Sequence, residues 1–161
     1  MMHCVSTQKV WQVRKARIGD AAAIHRLVKT YSDKGALLPV SLSEVYERLR
    51  DFFVCECEGR IVGCGALRIV WDNLAEVRSL AVVSDMARQG VGRAIVEACL
   101  TEARALEVPR VFALTYEAEF FAKLGFEPVA KEKLPHKIWL DCVKCAKFPN
   151  CDEHAVIHEM R

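Results

Sequence analysis

The strongest structural signal in this chain is the segment Leu80-Ala81-Val82-Val83-Ser84-Asp85-Met86-Ala87-Arg88-Gln89-Gly90-Val91-Gly92-Arg93-Ala94-Ile95. It runs from an apolar strand through a polar turn into a Gly-x-Gly step, after which apolar residues recur at helical spacing as far as Leu106. Such a turn aims backbone N–H groups and the positive end of a helix dipole into one concavity. The segment therefore predicts a phosphate-binding turn, and the alternative is that Gly90 and Gly92 only shape the chain.

Two other phosphate-binding motifs do not fit this segment. A Walker loop needs Gly-x-x-x-x-Gly-Lys followed by Ser or Thr, and the chain has no such run. The dinucleotide-binding fingerprint needs a third Gly or Ala at the position that Ile95 occupies. The letters thus exclude both motifs.

Composition indicates one globular domain over residues 1–161. The chain is 52% hydrophobic and 27% charged, and its formal net charge is +2. Basic and acidic residues are interleaved, so we expect neither nucleic acid nor a membrane as a partner. No stretch has the length of a transmembrane helix, and residues 1–6 lack the apolar core of a secretory signal. We therefore predict a cytoplasmic protein whose eight cysteines are reduced.

The hydrophobic pattern predicts an α/β (α+β) fold in which helices alternate with strands. We expect Asp20 to cap the first helix and the box Ser41-Leu42-Ser43-Glu44 to start the second. The predicted elements are a strand over 10–17, helices over 21–32 and 42–50, strands over 52–58, 60–70 and 76–83, a helix from residue 90, a strand from residue 110, a helix from residue 117, and strands near residues 129 and 138. Residues 142–161 form a Cys-rich tail and a terminal strand.

The chain continues with an apolar strand over 110–115 and then Tyr116-Glu117-Ala118-Glu119-Phe120-Phe121-Ala122-Lys123-Leu124-Gly125-Phe126-Glu127-Pro128-Val129. Together with the Gly-x-Gly turn, this order of motifs resembles the GNAT superfamily of acyl-CoA-dependent N-acetyltransferases. The resemblance implies a central mixed, mostly antiparallel sheet flanked by helices, with acetyl-CoA as co-substrate. It assigns the pyrophosphate to the turn and the acetyl and pantetheine groups to backbone amides of a splayed strand. The cofactor-binding residues implied are Leu80, Ala81, Val82, Arg88, Gln89, Gly90, Val91, Gly92 and Arg93.

A closer resemblance covers nearly the whole chain. Its segments are Leu37-Leu38-Pro39, Arg50-Asp51-Phe52-Phe53-Val54, Gly63-Cys64-Gly65-Ala66-Leu67, Ala75-Glu76-Val77-Arg78-Ser79-Leu80-Ala81-Val82 and Trp139-Leu140-Asp141-Cys142-Val143-Lys144-Cys145. They look like the short, stand-alone N-acetylglutamate synthases of arginine biosynthesis. The resemblance implies acetyl transfer to the α-amine of L-glutamate in a ternary complex. It leaves a homodimer, and feedback control by arginine, as open alternatives.

The reaction needs a base, because only a neutral amine attacks a thioester. Glu76 is the candidate: it is expected on a strand face with Arg78 and Leu80, and the family commonly has Glu there. The alternative is an ordinary carboxylate paired with Arg78. Relatives carry a Tyr as general acid where this chain has Phe120-Phe121, and a thiolate leaves readily without one.

The acceptor site departs from the family pattern. Leu-Leu-Pro-Arg is expected in the glutamate enzymes, but this chain has Val40 where that Arg would grip the acceptor carboxylate. We assign Leu38 and Arg78 to acceptor binding. Other candidates for the missing cation are Lys34, Arg68 and Lys137, and each has surface solvation as its alternative.

The cysteines raise the question of a metal. Cys142-x-x-Cys145 with Cys151 and His154 offers the ligand types of a tetrahedral zinc site, although a group of reduced, partly buried thiols is the preferred interpretation. Cys55 and Cys57 should face the same side of one strand, next to Cys64 on its neighbour, as small apolar side chains.

Three function classes follow. The first is an amino-acid N-acetyltransferase acting on glutamate, with glutamine as a second acceptor. The second is the same catalyst acting on another amine, such as a polyamine, an antibiotic or a protein, which Val40 keeps open. The third is a non-catalytic acyl-CoA-binding or zinc-stabilised module.

Overall fold

The computed structural model describes residues 9–134 and 153–160. Helices and strands alternate there in the predicted order. The strands are β1 (Trp11–Lys15), β2 (Phe52–Cys57), β3 (Arg60–Trp71), β4 (Leu74–Val82), β5 (Arg110–Thr115), β6 (Glu127–Pro128) and β7 (His154–Glu159). The helices are α1 (Ala21–Ser32), α2 (Leu42–Glu47), α3 (Val91–Ala105) and α4 (Ala118–Ala122), and none of the described helices is long and apolar enough to span a bilayer.

The strands form one sheet in the order β1-β2-β3-β4-β5-β7-β6. Every neighbouring pair is antiparallel except β4 and β5, which run in parallel. The parallel pair is possible because α3 forms the crossover between its two strands. This arrangement confirms the predicted mixed, mostly antiparallel sheet flanked by helices. The strand predicted near Ile138 lies outside the described residues.

Helices cover both faces of the sheet. Val91 and Ile95 of α3 are fully buried against one face, and Ile24 and Val28 of α1 are fully buried against the other. The α3 side is packed so tightly that a Cβ atom on Gly65 would lie 2.7 Å from Cγ2 of Ile95. Glycine in the middle of β3 therefore serves the close approach of α3 to the sheet.

The sequence predicted the N-terminal cap of α2 correctly but not that of α1. Ser41 caps α2 as expected, because its Oγ accepts a hydrogen bond from the backbone N–H of Glu44 at 3.1 Å. The helix then ends at Glu47 rather than residue 50, since a 3-10 turn follows over Leu49–Asp51. Because α2 is shorter than predicted, the 3-10 turn connects it to the start of β2.

Asp20 does not cap α1, which corrects the prediction from sequence. Its carboxylate accepts hydrogen bonds from the backbone N–H of Arg17 at 2.8 Å and from the guanidinium of Arg14 at 2.7 Å. Arg14 also donates to Glu56 across the β1–β2 pair at 2.9 Å. Arg14 therefore draws the Asp20 side chain away from the helix terminus, and the hydrogen bond with Arg14 holds the pKa of that carboxyl below its usual range.

Candidate active site

A β-bulge interrupts β4 at Ser79. Arg78 pairs with Ala66 of β3 and Ala81 pairs with Cys64, so two residues of β4 stand opposite Gly65 alone. Ser79 has a φ of +56°, in the left-handed region that non-glycine residues seldom adopt. The bulge shifts the alternation of side chains along β4 by one residue.

This shift corrects one expectation about the face of β4. Glu76 and Arg78 share the side of the sheet that faces α1 and α2, as predicted. The side chain of Leu80 lies on the opposite side, where its Cδ1 is 3.2 Å from the position of a Cβ on Gly65 and packs in the core with Ile95. The predicted common face is therefore wrong for Leu80, because the extra residue of the bulge turns the side chains that follow it to the opposite face of the sheet.

The strands β4 and β5 part beyond the middle of the sheet. In this fully described part of the chain they pair only at Ala75–Val111 and Glu76–Phe112, although β4 runs on to Val82 and β5 to Thr115. The far end of β4 is tied instead to α1, since the hydroxyl of Tyr31 donates a hydrogen bond to the carbonyl of Val82. The opening lies where the resemblance predicts a splayed strand for the pantetheine arm.

The predicted phosphate turn leads directly into α3. Arg88 and Gly90 both have left-handed backbone, with φ values of +63° and +84°. Gly90 is the residue before the helix, and no side chain caps the helix there. The N–H groups of the first turn of this 15-residue helix thus have no side-chain acceptor of the usual capping kind, which is the arrangement that suits an anion.

The turn lies next to the opening between β4 and β5. A Cβ on Gly92 would be 3.7 Å from Cγ2 of Val82 and 3.4 Å from Cζ of Phe120 on α4. The side chain of Val91 is buried in the core, so only its backbone is available to a ligand. Arg93 is exposed and pairs with Glu97 at 2.9 Å. The structure thus brings Val82, the Gly-x-Gly turn and α4 together, while the ligand roles of these residues stay predictions.

A pocket of about 430 Å³ opens on the α1/α2 side of the sheet. Leu38 and Arg78, the two residues assigned to the acceptor, both line it. So does Arg68, whereas Lys34 lies over the ring of Tyr31 at 5.8 Å and Lys137 is outside the described residues. The full lining is Leu38, Pro39, Val40, Glu44, Glu47, Arg48, Asp51, Phe52, Ala66, Arg68, Arg78 and Ser79.

Sequence reasoning did not assign four charged residues of this pocket, Glu44, Glu47, Arg48 and Asp51. Glu44 and Glu47 are exposed on α2, whereas Arg48 and Asp51 follow that helix. The last two belong to the short connection between α2 and β2, where the backbone N–H of Asp51 donates to the carbonyl of Arg48 at 2.9 Å. Burial raises the pKa of Asp51 above its ordinary value, although nearby cations oppose the shift. The only signal for Asp51 in the sequence was its place in the segment Arg50-Asp51-Phe52-Phe53 that carries the family resemblance, and Arg48 lies outside that segment.

Glu76 lies between two arginines that line the pocket, Arg68 and Arg78. Its side chain is 11% exposed, its Oε1 is 3.8 Å from an NH group of Arg78, and Arg68 is its cross-strand neighbour on β3. The contact with Arg78 is long for a hydrogen bond. The structure thus shows the contact with Arg78 that the alternative interpretation expects, and the role of Glu76 as the base stays a prediction.

The described cysteines behave as small apolar side chains. Cys55 and Cys57 face the α3 side of the sheet and Cys64 faces the α1 side, so the three thiols do not share a surface. Burial raises the pKa of Cys64 and of Cys99 to about 12, which keeps both protonated at neutral pH. No three His, Cys, Asp or Glu side chains in residues 9–134 and 153–160 form a metal-binding group. Cys142, Cys145 and Cys151 of the zinc alternative lie outside the described residues, and His154 begins β7.

Comparison with known proteins identifies the family. Residues 48–128 match the family model described as the acetyltransferase (GNAT) domain. An uncharacterized N-acetyltransferase of Chlorobaculum tepidum is 40% identical over 145 residues, which cover 90% of this chain and 94% of that protein. The amino-acid acetyltransferase of Mycobacterium tuberculosis is 46% identical over 120 residues, covering 73% of this chain and 68% of that one.

Solved structures give the same result. The structure of Rv2747 from Mycobacterium tuberculosis in complex with CoA and NLQ has a TM-score of 0.82 and 34% identity, and covers 93% of this chain and 99% of that one. N-acetylglutamate synthase from Neisseria gonorrhoeae, complexed with coenzyme A and N-acetyl-glutamate, has a TM-score of 0.86 at 24% identity and shares the fold. This chain spans 36% of its length. The protein therefore belongs to the GNAT acetyltransferase family, which confirms the family, the fold and the acetyl-CoA co-substrate predicted from its sequence.

Proposed function

We propose that the protein transfers the acetyl group of acetyl-CoA to the α-amine of an amino acid, with L-glutamate as the first candidate acceptor. The observation that carries the proposal is the position of the pocket. Arg68 and Arg78 line it, and Arg78 lies between Glu76, the last residue of β4 that pairs with β5, and the bulge at Ser79. An acceptor held by these guanidinium groups lies beside the opening that suits the pantetheine arm.

In this proposal, backbone N–H groups make most of the contacts with acetyl-CoA. The uncapped first turn of α3 and the left-handed residues Arg88 and Gly90 supply N–H groups for the pyrophosphate. The exposed side chains of Gln89 and Arg93 add polar contacts and charge at the rim. Amides of the segment 80–82, on the edge of β4 that β5 leaves unpaired, hold the acetyl carbonyl and stabilise the oxyanion that develops on it.

In the proposed reaction Glu76 takes a proton from the acceptor ammonium, directly or through water. The neutral nitrogen attacks the thioester carbonyl, the tetrahedral intermediate collapses, and the thiolate of coenzyme A leaves. A thiolate with a pKa of about 8.5 needs no strong acid to assist it, which is consistent with Phe120 and Phe121 in place of a tyrosine. Holding the amine and thioester together contributes about 7–11 kcal/mol in favourable cases.

Arginines of the sheet take the place of the cation that the family carries at the position of Val40. Val40 lines the pocket together with Arg68 and Arg78, so the guanidinium groups on β3 and β4 reach the space that the family's arginine would serve. Arg78 is largely buried, with 22% of its side chain exposed, and a bidentate contact with a carboxylate is strong in such surroundings. This arrangement supports an acceptor that carries a carboxylate.

The relatives support the same acceptor class. The Mycobacterium tuberculosis protein is named an amino-acid acetyltransferase, and the family resemblance extends the proposal to the first step of arginine biosynthesis in the cytoplasm. A homodimer is the alternative to a monomer in this proposal.

A second candidate function is acetylation of a cationic amine such as a polyamine. Its support is the acidic rim of the pocket, where Glu44 and Glu47 are exposed on α2. Carboxylates at this rim attract ammonium groups, and Val40 removes one competing positive charge from the site.

The test is thiol release from acetyl-CoA with glutamate, glutamine and a polyamine as acceptors, for the wild type and for Arg78→Gln. We expect turnover with an α-amino acid, and we expect Arg78→Gln to raise KM for that acceptor while leaving the Kd for acetyl-CoA unchanged. Arg110→Gln is the matched control, because Arg110 is an exposed guanidinium paired with Glu159 on the far side of β5. Turnover only with the polyamine would select the second candidate, and acetyl-CoA binding without any turnover would favour a non-catalytic module.

A further inference from the structure

Asp51 lines the pocket immediately before β2, which lies two strands away from β4 in the sheet. The next residue, Phe52, pairs with Ala66 of β3, and Ala66 pairs with Arg78 of β4. Asp51 is therefore about two strand spacings from the reaction site, or about 10 Å across the sheet. An acceptor whose α-amine meets the thioester beside Arg78 extends its distal group toward Asp51.

Asp51 differs from the other carboxylates of the pocket. Glu44 and Glu47 are exposed to solvent, and Glu76 has Arg78 as a partner. Asp51 is only partly exposed, and within the described residues its carboxylate forms neither a hydrogen bond nor an ion pair. A desolvated carboxylate without a partner is costly, so a ligand group that donates hydrogen bonds to it gains binding energy.

The charged groups around Asp51 come from four elements. Arg48 at the end of α2, Lys15 of β1 and Arg68 of β3 lower its pKa, while burial and Glu102 of α3 raise it, and burial is the largest effect. Lys15 is engaged with Glu102 at 3.1 Å. Arg48 and Arg68 line the pocket with Asp51, so this end of the pocket offers guanidinium donors and a carboxylate acceptor side by side.

Guanidinium groups beside a carboxylate can distinguish two acceptors whose distal groups have the same size but different charge. A distal carboxylate is attracted by Arg48 and Arg68 but repelled by ionised Asp51. A distal carboxamide accepts hydrogen bonds from a guanidinium with its oxygen and donates to Asp51 with its NH₂ group. We propose, on the basis of the proposed function above, that Asp51 is a specificity-determining residue that weakens the preference of this pocket for a distal carboxylate relative to a distal carboxamide of the same length.

The experiment compares kcat/KM for glutamate and for glutamine in the wild type and in Asp51→Asn. We expect the ratio of the glutamate value to the glutamine value to rise about tenfold in the variant, the order that one like charge near a protein surface contributes. Asp33→Asn is the matched control, because Asp33 is an exposed aspartate paired with Lys29 outside the pocket. It removes the same charge and should leave the ratio unchanged.

A second measurement uses the pH dependence of the same ratio. In the wild type the glutamate-to-glutamine ratio should rise as the pH is lowered, because protonation removes the charge of Asp51. The titration of glutamate itself also changes the ratio, and Asp51→Asn shows the sign and size of that contribution. The rise should therefore be smaller in Asp51→Asn. Asp51→Ser removes the same charge and gives the same comparison if Asp51→Asn does not fold.

The outcomes separate this inference from the proposed function. Turnover of both amino acids with a ratio that Asp51→Asn does not change would overturn the inference alone. An equal loss of kcat/KM for both acceptors would also overturn it, because Asp51 would then act on the part that they share. No turnover of either amino acid by the wild type would overturn the proposed function and this inference with it.

Discussion

Replacing Gly65 by alanine should destabilise the protein by forcing α3 away from the sheet. Gly65 lies in β3 opposite the bulge of β4. A Cβ there would be 2.7 Å from Cγ2 of Ile95 and 3.2 Å from Cδ1 of Leu80. Carbon atoms in proteins pack at about 3.5–4.0 Å, so the new methyl group requires a shift of about 1 Å in a side chain that is fully buried.

Overpacking of this kind costs about 1–3 kcal/mol in the free energy of unfolding. For a domain of this size each kcal/mol lowers Tm by about 2–4 °C, so Gly65→Ala should lower Tm by about 2–12 °C. Because Leu80 is one of the two neighbours, the variant should also weaken acetyl-CoA binding at the adjacent segment of β4.

The measurement is thermal unfolding followed by circular dichroism, with Gly19→Ala as the matched control. A Cβ on Gly19 would have no atom within 4 Å, so that variant should melt within error of the wild type. Ile95→Ala removes the clashing methyl group, and the double variant should lose less stability than the sum of the two single variants. If the Tm of Gly65→Ala equals the Tm of Gly19→Ala, the close approach of α3 to β3 is refuted.

Three further predictions concern the base, the buried ion pair and the phosphate turn. Glu76→Gln should lower kcat about 10²–10⁴-fold with an unchanged Kd for acetyl-CoA, measured by thiol release and calorimetry, and an unaltered kcat would show that the carboxylate is only a partner of Arg78. The lowered pKa of Asp20 contributes stability above the ordinary aspartate pKa of about 3.9, and this contribution disappears as the pH falls through the lowered value. The difference in urea midpoint between the wild type and Asp20→Asn should therefore shrink in acid, and a difference independent of pH would contradict the pairing with Arg14. Gly90→Ala should lower the free energy of unfolding by about 1 kcal/mol, because the φ of Gly90 is +84°. Gly92→Ala, in the first turn of α3, should leave the stability unchanged or raise it. Equal changes in Tm for the two variants would contradict the assigned turn.

Local patterns in the sequence predicted most of the architecture. The Gly-x-Gly step located the start of α3, the Ser41 box located the start of α2, and turn residues around Gly59 separated β2 from β3. These features are predictable because caps, turns and side-chain periodicity involve residues that are close along the chain. Leu38 and Arg78, the residues that the sequence analysis assigned to the acceptor, do line one pocket, and their role there stays a prediction.

The structure alone showed what depends on contacts between distant segments. Asp20 leaves its helix terminus for Arg14, and the bulge at Ser79 turns Leu80 to the other face of the sheet. Arg48 and Asp51 line the same pocket as Arg68 and Arg78 because β2 lies beside β3 in the sheet. Strand register, a bulge and the sharing of one pocket by several strands are set by pairing across the sheet, and the free energy of that pairing belongs to no single stretch of sequence.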